Sequence, residues 1–218
     1  MTDNTRLAKM IDNSLLKPFL TDNEIIEGCK IANQYNVATV CVRPCDVKLA
    51  SKVLNKSEVL VTTIIGFPHG TTTTLTKLEE SKEAIGNGAV ELDIVLNIGK
   101  MKSGDYNFIE NELKIITDYA HSKNVKIKII FENCYLTEDE IKIACEICNR
   151  IKADWVKTST GFGRFGATEK DVQIMIDNVR NGVEVKASGG INNRTQALKM
   201  VELGCTRFGA SILKDILE

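Results

Sequence analysis

The feature that most limits what this chain can fold into is a regular exchange of two kinds of segment along its whole length. Short apolar runs, too brief for helices, are each followed by an amphipathic stretch. Reading the apolar runs against turn residues predicts buried strands at 37–43, 60–67, 90–97, 125–132, 155–160, 183–189 and 206–211. A shorter eighth is expected at 11–16, ahead of the first long helix. Between them, Thr21-Asp22-Asn23-Glu24 and Thr137-Glu138-Asp139-Glu140 have the capping-box pattern, in which Thr and Glu side chains satisfy orphan amides at a helix start. Further helices are predicted at 46–55, 75–87, 106–123, 168–181 and 194–203, with a short last one from Ile212.

Such alternation leaves two architectures, a doubly wound open sheet or a closed (β/α)8 TIM barrel. Eight units of roughly equal length favour the barrel, and no Gly-x-Gly-x-x-Gly turn follows an early strand. Gly161-Phe162-Gly163-Arg164-Phe165-Gly166 fits that pattern formally but follows a late strand, so it carries little weight as a dinucleotide site. At 218 residues, 43% of them hydrophobic, the chain has the size of one such domain, spanning 1–218. Its 28 basic and 29 acidic residues are interspersed, which argues against a nucleic-acid partner. No apolar h-region opens the sequence and no apolar stretch is long enough for a bilayer, so no membrane partner and a cytoplasmic location are expected. The odd count of seven cysteines fits reduced thiols. A homo-oligomer, dimer or tetramer, is compatible with these features.

In a strand buried on both faces a central charge costs several kcal/mol unless it is paired or shifts its pKa. Three strands break that rule: Glu91-Leu92-Asp93-Ile94-Val95, Trp155-Val156-Lys157-Thr158-Ser159 and Glu184-Val185-Lys186-Ala187-Ser188. Period-two alternation sends Leu92, Ile94, Val156, Thr158, Val185 and Ala187 toward the helices and leaves Asp93, Lys157 and Lys186 converging inside the barrel. One Lys–Asp pair would be an ordinary structural ion pair, but two lysines against one carboxylate fit that reading badly. Two ammonium groups close together in a low-dielectric cavity repel, and loss of one proton relieves the strain. A neutral lysine is a nucleophile toward carbonyls. Lys128 and Glu132, at alternate positions of the 125–132 strand, join the polar interior at its margin, as support for the site or for a loop.

Two small-residue turns, Ser188-Gly189-Gly190-Ile191-Asn192 and Gly209-Ala210-Ser211, precede predicted helix starts, where backbone amides can approach a phosphate closely. Metal chemistry finds little support in two histidines, His69 and His121, and no cysteine cluster of zinc-finger spacing. Cys145 and Cys148 share an apolar helix face with Ile141 and Ala144 and read as core. His121 fits a dipole role in the last turn of its helix, and His69 a loop-shaping one.

Taken together, Ile11-Asp12-Asn13-Ser14-Leu15-Leu16-Lys17-Pro18, Val40-Cys41-Val42-Arg43-Pro44, Ile65-Gly66-Phe67-Pro68-His69-Gly70, Glu91-Leu92-Asp93-Ile94-Val95-Leu96-Asn97, Val156-Lys157-Thr158-Ser159-Thr160-Gly161 and Val185-Lys186-Ala187-Ser188-Gly189-Gly190 resemble the deoxyribose-phosphate aldolase family. The stretches run in order through nearly the whole chain. The resemblance implies a class I aldolase that interconverts 2-deoxy-D-ribose 5-phosphate with D-glyceraldehyde 3-phosphate and acetaldehyde, with no metal or organic cofactor. It implies that Lys157 forms the Schiff base and that Lys186 and Asp93 assist proton transfer. It also places Thr160, Gly161, Gly189, Gly190, Gly209 and Ser211 around the substrate and its phosphate, with Asp12 and Cys41 at the donor end. The sequence departs from the family pattern at Asn13, where histidine is usual, at Arg43, where asparagine is common, and at Ile212, where a small residue often follows Ser211. It ends at Glu218 without the tyrosine-ended tail of some members, so no tail-assisted proton step is expected. Two competing readings are a barrel whose lysine holds pyridoxal phosphate and a catalytically silent sugar-phosphate-binding barrel.

Overall fold

The computed structural model describes residues 3–218, so the first two positions of the expected 1–218 domain lie outside the described residues. Eight parallel strands close into a barrel in sequence order, β1-β2-β3-β4-β5-β6-β7-β8, the architecture that eight units of roughly equal length favour. They are β1 Ile11–Leu15, β2 Thr39–Val42, β3 Leu60–Ile65, β4 Glu91–Val95, β5 Lys126–Ile130, β6 Trp155–Lys157, β7 Glu184–Ala187 and β8 Arg207–Ala210. The short first strand is a full member and closes the ring, with Ile11, Asp12 and Asn13 in register with Phe208, Gly209 and Ala210.

The helices are α1 Asp3–Ala8, α2 Asp22–Gln34, α3 Val47–Val53, α4 Thr74–Gly86, α5 Ile98–Lys102, α6 Tyr106–Ser122, α7 Glu138–Ile151, α8 Glu169–Asn178, α9 Arg194–Glu202 and α10 Lys214–Leu217. Both expected capping boxes are formed, on Thr21 with Glu24 and on Thr137 with Glu140. Two short helices were not expected, α1 and α5. Asn97, at the end of the predicted strand 90–97, instead caps α5 by accepting from the Lys100 amide at 3.1 Å. The terminal helix was expected from Ile212 but begins at Lys214, where Leu213 supplies no side-chain cap.

Two shells separate along each strand because side chains alternate. Outward residues such as Val40, Val42, Leu92, Ile94, Ile127, Ile129, Val156, Val185 and Phe208 are buried against the helices in one continuous apolar core. Cys145 and Cys148 lie in that core as expected. Many inward residues are of the opposite kind. Asp12, Glu91, Asp93, Lys128, Lys157 and Lys186 are all buried. Among the described residues, no helix is long and apolar enough to cross a membrane.

Candidate active site

The parallel register sets the site. Lys157, the last residue of β6, lies beside Lys186 of β7, and Asp93 of β4 lies beside Lys128 of β5. The Lys157 and Lys186 ammonium nitrogens each approach Asp93 Oδ2 at 2.7 Å, so the three residues singled out by strand alternation converge on one oxygen. Lys186 also donates to Asp12 Oδ2.

The expectation of two lysines against one carboxylate needs correction, because the cluster is larger. Lys128 is not marginal: it is fully buried and reaches Asp93 Oδ1 at 2.9 Å, Glu91 Oε2 at 2.5 Å and Asp12 Oδ2 at 3.5 Å. Arg207 donates to Asp12 Oδ1 at 2.6 Å and approaches Glu91 at 3.3 Å. Thr62 of β3 donates to the Glu91 carbonyl at 3.0 Å and lies 3.3 Å from Asp93 Oδ1. Sequence reading missed Glu91, Arg207 and Thr62. The signal was present, since Glu91 is two positions from Asp93 on the same face and Arg207 is two from Gly209.

Electrostatics separate the two lysines. Burial pulls the Lys157 ammonium down, Asp93 pushes it back, and the neighbouring Lys186 charge lowers it further, so its pKa ends below that of an ordinary lysine. Burial also lowers Lys186, but Asp12 and Asp93 together outweigh it and raise that ammonium. Desolvation opposes ionisation of Asp93, yet Lys128, Lys157 and Lys186 hold its carboxyl well below the usual range. Of the two, Lys157 therefore gives up its proton the more readily. Cys41, buried with Leu16 and Ile64, remains a thiol because desolvation, ahead of the Asp93 charge, pushes it up to about 12.

Above this layer the loops close on one another. Glu132 sits in the left-handed region at φ 55 and accepts from the Thr160 amide at 3.2 Å and from the Thr160 hydroxyl. It thus anchors the loop after β6. Glycines explain that loop's course. A Cβ on Gly163 would lie 2.8 Å from Cys134 Sγ, and one on Gly166 would lie 2.1 Å from the Gly189 carbonyl oxygen. The stretch that formally matched a dinucleotide turn is shaped by these close approaches. Gly161, Gly189 and Gly190 have φ of +87°, +82° and +82°, and Gly209 lies against Ser188 and Lys186. Ser211 is exposed at the rim, and α10, with four residues, starts beyond it. A helix amide from that element does not directly follow the Gly209 turn. His69 is exposed in the loop after β3, and His121 pairs with Asp154 at 2.9 Å rather than serving only the helix dipole.

A closed parallel barrel with a buried lysine of lowered pKa beside a lysine of raised pKa and a carboxylate held ionised defines a lysine-dependent, class I aldolase type of enzyme. Residues 3–218 match the DeoC/LacD family aldolase model. The deoxyribose-phosphate aldolase of Thermococcus gammatolerans is 47% identical over 214 residues, covering 97% of this chain and 95% of that one. Among solved structures, the aldolase QR15 superimposes with a TM-score of 0.92 at 41% identity, covering 100% of this chain and 95% of that one. The tetrameric deoxyribose phosphate aldolase of Aeropyrum pernix gives a TM-score of 0.92 at 28% identity, covering 100% and 92%. The chain belongs to the DeoC/LacD aldolase family and is a lyase.

Proposed function

We propose that the enzyme cleaves 2-deoxy-D-ribose 5-phosphate reversibly to D-glyceraldehyde 3-phosphate and acetaldehyde through a Schiff base on Lys157. The observation that carries this reading is the 2.7 Å approach of both lysines to one Asp93 oxygen, with their titrations pushed in opposite directions. The names of the relatives support the choice of substrate.

The neutral Lys157 amine adds to the C1 aldehyde, and loss of water leaves a protonated imine. Lys186, which stays charged, supplies the proton that lets the carbinolamine hydroxyl depart as water. A base then takes the proton from the C3 hydroxyl as the C2–C3 bond breaks. The bonding pair moves into the iminium to give an enamine, and the C3 fragment leaves as glyceraldehyde phosphate. Protonation at C2 and hydrolysis release acetaldehyde and return the free amine. Asp93 is a poor base while the Lys128 and Lys186 ammonium groups and the iminium on Lys157 surround it, and its part is to hold the two lysines and stabilise the positive imine. An ordered water relaying to Lys186 is the better proton carrier.

Asp12 orients Lys186 from below, and Cys41 with its apolar neighbours lines the donor end. Thr160 and Gly161, the Gly189–Gly190 turn, Gly209 and Ser211 surround the phosphate, which main-chain amides grip. Residues 1–218 act as one aldolase domain in the cytoplasm, and a second copy of the chain is the macromolecular partner, assembled as a dimer or a tetramer. Borohydride reduction in the presence of acetaldehyde is expected to add an ethyl group to Lys157 and abolish cleavage, as read by peptide mass mapping. Labelling of Lys186 instead would reverse the assignment, and no label at either lysine would remove the Schiff-base reading altogether.

A further inference from the structure

Below the two lysines the barrel holds a second tier of charge that this reaction scheme does not use. Arg207 bridges Asp12 and Glu91, and Lys128 bridges Glu91 and Asp93. The Trp155 ring faces both cations, its centroid 4.9 Å from Arg207 and 5.6 Å from Lys128. Charged and titratable groups enter this interior from seven strands. They are Asp12 from β1, the Cys41 thiol from β2, Glu91 and Asp93 from β4, Lys128 from β5, Lys157 from β6, Lys186 from β7 and Arg207 from β8. β3 offers the Thr62 hydroxyl, and Glu132 lies above in the loop layer, bound to Thr160.

Counted as ions, the three carboxylates of Asp12, Glu91 and Asp93 meet the three cations Lys128, Lys186 and Arg207. The interior is therefore neutral when Lys157 is a free amine and carries one uncompensated positive charge when Lys157 is protonated. A net charge in a poorly solvated interior is costly, so the balance itself favours the free amine. The iminium does carry that extra charge, and cleavage to the neutral enamine removes it, so the same balance also favours bond breaking. We propose that Arg207 and Glu91 are positioning residues for the nucleophile, acting through Asp12 and Lys128 to fix the net charge beneath Lys157, with Arg207 favouring its free amine and Glu91 opposing it. This rests on the reading of Lys157 as the Schiff-base lysine. The direction of the Lys157 titration agrees with it.

The test is the pH dependence of kcat/KM for cleavage in five proteins: wild type, Arg207→Gln, Glu91→Gln, Arg207→Lys and the double variant with Gln at both positions. Loss of the Arg207 charge leaves the interior negative, so Lys157 holds its proton more tightly and the acidic limb moves up by about one pH unit or more. Loss of the Glu91 charge moves the limb the other way. Arg207→Lys keeps the charge and keeps the limb in place, and the double variant returns it toward wild type. Weakened packing would lower the plateau in each variant without shifting the limbs in opposite directions. If Arg207→Gln does not fold, Glu91→Gln and Arg207→Lys still decide, because an unmoved limb in Glu91→Gln overturns the proposal. Borohydride labelling of each protein separates the two levels. Absence of label on wild-type Lys157 refutes the underlying assignment, whereas normal labelling with unmoved limbs refutes only the role of Arg207 and Glu91.

Discussion

Lys157 and Lys186 share a residue type, a depth and a carboxylate oxygen, and their different behaviour comes from one additional partner. Lys186 has Asp12 as well as Asp93, while Lys157 has Asp93 alone and the Lys186 charge beside it. Burial lowers both, but only Lys186 gains enough opposite charge to recover. Lys186→Leu removes the neighbouring cation, so the Lys157 pKa is expected to rise and the acidic limb of the activity profile to move toward higher pH. Turnover should fall by about a hundredfold or more, the scale of one positioned acid–base group. A near-normal rate with an unmoved limb would deny Lys186 both roles. The pair itself was legible from strand alternation, as was Asp93. Which lysine loses its proton was not, because the deciding contact comes from Asp12, 174 positions earlier in the chain.

At the scale of elements, the chain shows its strands more clearly than their ends. The predicted strand 155–160 keeps strand form only to Lys157; the Thr158 amide still reaches the Lys186 carbonyl at 3.1 Å, and beyond it Thr160 is drawn to Glu132 in the loop after β5. The predicted strand 90–97 stops at Val95, because Asn97 becomes a helix cap. Both are side-chain contacts that no local period reports. The loop after β6 gives a test. The Ala167 amide is shared by the Ser188 and Gly189 carbonyls at 3.0 and 3.1 Å, so this loop and the turn after β7 form one unit. Gly166→Ala places a methyl group 2.1 Å from the Gly189 oxygen and must drive the two apart. Gly190 has open space around it but a φ of +82°, so Gly190→Ala strains the turn by about 1–2 kcal/mol without a clash. Both variants are expected to lower the ratio of kcat/KM for 2-deoxyribose 5-phosphate to that for 2-deoxyribose, Gly166→Ala the more severely. Ile212 is 43% exposed at the rim, and Ile212→Ser should leave the ratio unchanged. Equal wild-type efficiencies for the two sugars would make these turns purely structural.

Across the whole molecule, the closed ring converts isolated charged positions into one network. Closure brings β8 against β1, and with it Arg207 against Asp12, which are 195 positions apart. A charge near the start of a strand, such as Glu91 or Arg207, looks solvated in one dimension and is enclosed only once the eighth strand is in place. The alternation therefore disclosed the barrel and the lysines near its upper end, but not the tier beneath them. That tier links the site to stability. Asp12 and Asp93 are desolvated, yet Lys186 and Lys128 with their neighbours hold both carboxyls below the ordinary value of 3.8 in the folded state. A depressed carboxylate contributes stability that is fully present above its unfolded-state value and is lost as pH falls through the folded-state one. The wild-type protein is thus expected to lose stability below pH about 4, where the unfolded chain takes up protons first. Lys128→Met removes a cation common to Glu91, Asp93 and Asp12 and should cost about 3–5 kcal/mol near neutrality, as for other broken buried pairs. Its carboxylates are less depressed, so its stability should fall less steeply on acidification, and the gap to wild type should narrow between pH 5 and pH 3, values set about the ordinary carboxylate range. Urea unfolding at stepped pH measures both slopes. Parallel curves with a constant gap would mean that Lys128 contributes packing alone, and that the interior ions do not couple the charge state of the site to the fold.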